Sequence, residues 1–296
     1  MPRIVYVNGE YLPYAQASVH VEDRGFQFAD GVYEVIGCIH GHLADETGHL
    51  DRLERSLAEL KMPMPVSRET LRFLMRECLR RNHLKNAGIY IQITRGAARR
   101  DFKFPDPNTT GQSLVIIASS FNFDGNAAVL HGVKVKTLED IRWKRRDIKT
   151  VALLAQALAK QEAVEEGLGD AWMVDPQGFI TEGSASNAWI ITKDQTLLTR
   201  PVSHDILRGV TRTAIEKICA EKKIKIIERA FTVHEAYEAV EAFTSSATAL
   251  ITSVIEIDGH KIGEGKPGPI TKEIYNEYRA YVDGLRGEQV HWEAGL

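Results

Sequence analysis

IVYVNGEYL (residues 4–12) alternates apolar and polar positions on either side of Asn8-Gly9. That pattern predicts a two-strand hairpin. GVYEVIGCIHGHL (31–43) repeats it around His40-Gly41. The period then changes. In HLDRLERSLAELKM (49–62), Leu50, Leu53, Leu57 and Leu60 recur at helical spacing, and Pro63 and Pro65 stop the helix. Leu71, Leu74, Met75, Cys78 and Leu79 predict a second amphipathic helix over Arg68–Arg81. GIYIQITRG (88–96) and SLVIIASSF (113–121) read as strands with a polar, proline-bearing loop between them. These segments make one α+β unit ending near residue 120.

FDGNAAVLHG (123–132) reads as a connector, and GVKVKTLE as the first strand of a second unit. TVALLAQALAKQEAVEEG (150–167) predicts a helix ending at Gly167. Hairpins follow over 170–183, turning at Pro176-Gln177-Gly178, and over 187–201. A helix over 207–223, a strand with a short helix, the apolar run EAFTSSATALITSVIEIDG and a C-terminal helix near 270–282 complete the pattern. The expected architecture is α+β in two domains, 1–120 and 121–296, without internal repeats.

The 296 residues suit about two domains. The chain is 44% apolar and 26% charged, with net charge −3, so no broad basic bias marks a nucleic-acid binder. No apolar run approaches the ~18 residues of a membrane span, and MPRIVYVNGEYL lacks the features of a signal peptide. Three scattered cysteines without CxxC spacing fit free thiols in a cytoplasmic protein. The histidines form no zinc-type cluster, so no metal is expected. Gly263–Gly268 formally matches GxGxxG, but Pro267 and Pro269 spoil the strand-to-helix turn that motif needs, leaving a surface turn.

Four stretches carry candidate chemistry. RWKRRDIKT (142–150) packs five cations into nine positions. Lys149 follows a β-type run and precedes an apolar helix. Among Arg142, Lys144, Arg145 and Arg146, like charges would lower its pKa and favour a nucleophilic amine. Taken alone, the stretch reads more readily as a solvated cationic turn. TEGSASN (181–187) sets Glu182 before small hydroxyl residues, either a polar turn or a carboxylate placed against a buried cation. LRGVTR (207–212) opens a helix whose free N–H groups suit a phosphate. TSSAT (244–248) is a hydroxyl cluster. Each is weak alone.

Together with EDRGFQFADGVYEV, HLDRLERS, YIQITRG, EDIRWKRRDIKT, LAKQEA and IEIDG, these stretches resemble the fold-type IV pyridoxal-phosphate aminotransferases, most of all the D-amino acid aminotransferases. The ordered match covers nearly the whole chain. The resemblance implies pyridoxal 5'-phosphate at the domain junction. Lys149 would hold it as a Schiff base and shuttle the proton. Glu182 would pair with the pyridinium nitrogen. Arg52 would bind the phosphate, with Val210 and Thr211 cradling it and Ser246 and Ala247 opposite. Leu207 would pack on the ring, and Tyr33 and Arg100 would hold the substrate carboxylate. The implied reaction is of the type D-alanine plus 2-oxoglutarate giving pyruvate plus D-glutamate, in a cytoplasmic homodimer.

Two positions depart from that pattern. Phe102 stands where the D-amino acid enzymes carry histidine in an Arg-x-His pair. A phenyl ring donates no hydrogen bond, a loss worth roughly 1.5–3 kcal/mol, or about ten- to a hundredfold in binding. Arg99 is placed to compensate, or the pocket takes less polar substrates. Ala247 replaces a threonine but keeps its backbone N–H. The alternatives are an (R)-selective amine transaminase, a branched-chain L-aminotransferase, an aminodeoxychorismate lyase and a non-enzymatic basic-patch protein.

Overall fold

Ile4–Val7 (β1) and Glu10–Pro13 (β2) form the predicted hairpin, with Asn8 and Gly9 both at positive φ in its turn. Gly31–Ile39 (β3) and His42–Leu43 (β4) form the second, turning on His40 and Gly41. The computed structural model describes residues 3–123, 128 and 131–284, so the expected connector 123–132 lies mostly outside the described residues. Ala87–Thr94 (β5) and Ser113–Ser120 (β6) complete a six-stranded sheet in the order β2-β1-β6-β5-β3-β4. Helices Glu46–Glu59 and Arg68–Arg81 supply one apolar stripe each. Leu50, Leu53, Leu57, Leu71, Met75 and Leu79 share one core with Ile36, Ile89, Ile91 and Ile116. Each such side chain contributes about 1.5–3 kcal/mol on burial.

Val133–Glu139 (β7), Asp170–Val174 (β8), Ile180–Gly183 (β9), Asn187–Ile191 (β10), Leu197–Thr199 (β11), Ile226–Glu228 (β12), Glu241–Ser246 (β13), Leu250–Ile257 (β14) and His260–Lys261 (β15) build a nine-stranded sheet. Its order is β12-β11-β10-β13-β14-β7-β8-β9, with β15 on β14. Trp172, Ile190, Leu198, Phe231, Val254 and Ile257 lie in its core. Helices Val210–Lys222, Val233–Tyr237 and Pro269–Gly284 match the three predicted there.

The described residues divide into two compact units, residues 3–122 with Ile148–Ala152, and 123–147 with 153–284. One expectation fails at this seam. The helix predicted from Thr150 begins at Leu154. The backbone before it serves a sheet instead: Thr150 bridges Val32, and Val151 N donates to Gly31 O at 3.1 Å. β4 covers β3 only at Cys38 and Ile39, so the other end of that edge is open to take these residues.

Candidate active site

In the first unit, Lys149 is pinned through its main chain. Tyr33 N donates to Lys149 O at 3.0 Å, Lys149 N donates to Ser56 Oγ at 3.4 Å, and neighbouring Ile148 is buried in the core. The half-buried side chain is thereby directed rather than free. Its Nζ lies 3.3 Å from Tyr33 Oη and 4.3 Å from the centre of that ring. Tyr33 itself stacks on Tyr90. The pairing of Lys149 with Tyr33 joins two residues 116 positions apart in the chain.

Arg52 lies one helical turn before Ser56. Its Nε and Nη2 donate to the two oxygens of Glu34 at 2.7 and 2.8 Å, and His49 Nδ1 meets Glu34 Oε2 at 2.7 Å. Glu34 is fully buried. Burial alone would push its carboxyl up, but Arg52 and His49 outweigh it and hold the group well below the usual carboxylate range. Burial pushes the His49 imidazole down, so a neutral ring donating from Nδ1 fits the geometry. Glu34 thus orients the Arg52 guanidinium from one edge.

This network makes a testable demand. Glu34→Gln removes the carboxylate charge from a buried ion pair and is expected to cost about 3–5 kcal/mol of unfolding free energy. The pH dependence has two stages. His49 has a folded pKa below its ordinary 6.5, so stability declines as pH falls below that value and the unfolded chain gains the proton more readily. The depressed Glu34 carboxyl contributes stability that is present above its ordinary 4.5 and lost as pH falls towards the folded value. Urea midpoints of the protein and of Glu34→Gln should therefore converge below pH 4.5; a constant gap across that range would rule the account out.

In the second unit, Glu182 on β9 is buried. Arg142 Nη1 donates to its Oε1, Asn187 Nδ2 donates to Oε2 at 3.0 Å, and Leu207 N donates to both oxygens at 3.2 Å. Burial pushes this carboxyl up, against the pull of Arg142. Leu207 O accepts from Asn187 Nδ2 at 2.9 Å. A Cβ on Gly209 would lie 2.1 Å from Asn187 Oδ1. Glycine there lets the chain pass Asn187 and open the helix at Val210 and Thr211, and no side chain caps that start. Asn187 pairs with Ser245 on β13, whose last residue is Ser246. Ser246 Oγ accepts from Ala249 N at 3.1 Å, closing the turn that contains Ala247. Glu182, Leu207 and the helix start are thus linked through Asn187.

The basic stretch differs from its sequence-based reading. Arg142 pairs with Asp140 and Glu182, Arg145 with Asp147, and Arg146 with Asp140 and Asp205. The expected field of unbalanced positive charge around Lys149 counted the arginines and left out these carboxylates. Arg142 emerges instead as a partner of Glu182. Lys144 stays on the surface.

Arg100 and Phe102 sit on the exposed loop after β5. The Arg100 guanidinium lies 5.2 Å from the centre of the Phe28 ring, and Phe102 meets Phe28 edge-on at 5.7 Å while remaining 82% exposed. Glu34, His49, Tyr90, Asp140 and Asn187 lie within the stretches that carry the resemblance, yet sequence reasoning assigns none of them a role. One signal pointed to Glu34. It is an acid in an apolar strand, and a carboxylate buried there needs a cationic partner.

Residues 31–257 match the family Amino-transferase class IV. The D-alanine aminotransferase of Staphylococcus haemolyticus is 39% identical over 281 residues, 94% of this chain and 98% of that protein. Among solved structures, the branched-chain amino acid aminotransferase of Escherichia coli superposes with a TM-score of 0.87 at 26% identity, covering 99% of this chain and 97% of that one. The T.th. branched-chain amino acid aminotransferase with pyridoxamine 5'-phosphate gives 0.87 at 25% identity, covering 97% and 96%. Lys149, Glu182 and the helix start at Val210 all fall within the matched span, and the chain belongs to the class IV aminotransferases.

Proposed function

We propose that the protein transfers the amino group of D-amino acids, D-alanine foremost, to a 2-oxo acid such as 2-oxoglutarate with pyridoxal 5'-phosphate as cofactor. The observation that carries this reading is Lys149, a directed amine hydrogen-bonded to the Tyr33 hydroxyl in a chain closely related to a D-alanine aminotransferase. The residues present fit the cofactor. Glu182 accepts four contacts from three groups, and a carboxylate offers about four acceptor sites; because the Leu207 N–H is shared between both oxygens at 3.2 Å, one of its two positions can pass to a ring N–H. The uncapped helix start at Gly209 offers N–H groups to a phosphate.

When bound, pyridoxal phosphate supplies an aldehyde for the amino group and a ring that draws electrons from the substrate carbon. Lys149 would hold the cofactor through its amine and would move the proton at the substrate α-carbon. Glu182 holds a proton at the ring nitrogen. Arg52, set by Glu34, would bind phosphate oxygens; the helix start at Val210 and Thr211 and the turn at Ser246 and Ala247 would each offer donors to the phosphate. Leu207 would pack on the ring. Tyr33, hydrogen-bonded to the Lys149 amine, would hold the substrate carboxylate with Arg100, beside Phe102.

The protein is further proposed to act as a cytoplasmic homodimer. Leu154, Leu158, Phe26 and Phe102 are large apolar side chains that the single chain leaves exposed, as association surfaces do. No described helix is long and apolar enough to cross a membrane.

The test is a half-reaction. The cofactor-loaded protein is mixed separately with D-alanine, L-leucine and an (R)-arylalkylamine, without acceptor, while the visible cofactor band is followed. Bleaching with D-alanine alone is expected. Bleaching only with L-leucine or only with the amine would replace the reading with the matching alternative, and no bleaching would point to a lyase.

A further inference from the structure

The loop that carries Arg100 has little of its own to hold it. Residues 99–104 are exposed and contain no strand or helix. Two ties nevertheless fix it, and both run to one carboxylate. Asp30 Oδ2 accepts from Arg24 Nε at 2.7 Å and from Arg95 Nε at 2.8 Å. All three side chains are nearly buried.

Each arginine then turns its remaining surface to the loop. Arg24 Nη1 donates to Asp101 O at 2.6 Å, the carbonyl between Arg100 and Phe102. Its guanidinium also covers the Phe28 ring at 4.5 Å, the ring that Arg100 and Phe102 both approach. Arg95 lies over the Phe104 ring at 3.6 Å and anchors its far end by donating from Nη2 to Leu60 O at 2.7 Å. Planar arginines can do both at once: the edge donates while the face stacks.

We infer that Asp30 is a positioning residue for the substrate carboxylate. It locks Arg24 and Arg95 so that their grip on Asp101 O and the Phe104 ring sets where Arg100 stands. The inference rests on the reading of Arg100 as a carboxylate-binding residue. With no histidine donor at position 102, the substrate carboxylate depends the more on where Arg100 stands.

The test uses the cofactor-loaded full chain and two readouts. Asp30→Asn is expected to accelerate amide hydrogen exchange at Lys103, whose N–H donates to Asp101 Oδ1 at 3.2 Å, because Asp101 loses the hold of Arg24. In the half-reaction it is expected to weaken apparent D-alanine binding about tenfold while leaving the limiting rate within about twofold. Phe104→Ala, a change at an exposed position that leaves the buried arginines paired, should shift both readouts in the same direction by less. It decides the matter if Asp30→Asn fails to fold. Asp30→Asn combined with Arg100→Ala should bind D-alanine no worse than Arg100→Ala alone, within about twofold, because the two act through one contact.

Unchanged exchange in both loop variants, an equal fall in limiting rate, or full additivity with Arg100→Ala would overturn the inference. If Arg100→Ala weakens D-alanine binding while Asp30→Asn and Phe104→Ala do not, Arg100 keeps its role and Asp30 loses its own. If Arg100→Ala itself leaves D-alanine binding unchanged, the reading of Arg100 fails and the inference fails with it.

Discussion

Lys149→Ala is expected to lower turnover with D-alanine by roughly 10³-fold or more, the scale of losing a positioned proton-transfer group that also serves as nucleophile. The same change should abolish the visible absorption of the attached cofactor. Stability should barely move. The segment is held by main-chain bonds, Tyr33 N to Lys149 O and Val151 N to Gly31 O, and by the buried Ile148. Truncating a half-buried side chain outside the core typically changes stability by no more than about 0.5 kcal/mol. Lys149→Arg separates charge from chemistry, because a guanidinium stays protonated and cannot attack. It should be as inactive as Lys149→Ala. Retention of a tenth of the activity by either variant would remove Lys149 from the mechanism.

The local elements were legible because each depends on contacts near in sequence. Asn8-Gly9 and the leucines of 49–60 report a turn and a helical stripe whatever the rest of the chain does. The start of the helix at Leu154 was not legible. Thr150 and Val151 have a pattern compatible with helix, but their backbone groups are claimed by Gly31 and Val32, over a hundred positions away. Shorter separations hid the site's supporting groups too. Glu34 meets Arg52, 18 positions on, and Arg142 meets Glu182, 40 positions on, only in the fold; Asp140 stands two positions from Arg142 but shows itself as its partner only there. The arginines of 142–146 illustrate the consequence. Counted along the chain they make a basic patch; in the fold their charges are matched one by one.

Fold and substrate preference are written in different parts of the chain. Both sheets belong to an architecture shared with the E. coli branched-chain aminotransferase at 26% identity. Likeness of the whole backbone therefore does not choose between substrates. Loops placed by a rigid scaffold are where such a choice is expected, and on the proposed reading of Arg100 it falls to the segment from Gly96 to Gly111. Its anchors, Arg24 and Asp30, lie in EDRGFQFADG, one of the stretches that drew the resemblance to the D-amino acid enzymes.

The second large effect is expected at Glu182. Glu182→Gln keeps the shape, one acceptor oxygen and room for Asn187, but not the negative charge. An amide cannot hold a proton at the ring nitrogen, and turnover should fall roughly 10²–10³-fold, as when one preorganised electrostatic contact is removed. The stability cost should stay below the roughly 3–5 kcal/mol typical of a broken buried pair, because Arg142 retains Asp140 through Nε and Nη2. The pH profile separates this role from a merely structural one. Burial raises the Glu182 carboxyl above the ordinary range, so it takes up a proton sooner as pH falls. With the cofactor bound, a protonated ring nitrogen beside it would oppose that rise, so the acid limb of kcat due to Glu182 reports the balance of burial and ring charge. In Glu182→Gln the part of that limb due to this carboxyl should vanish, leaving a low rate. Glu182→Asp should keep a limb and recover part of the rate. A variant Glu182→Gln with full turnover, or one that keeps the acid limb unchanged, would show that the ring's proton is held by another group.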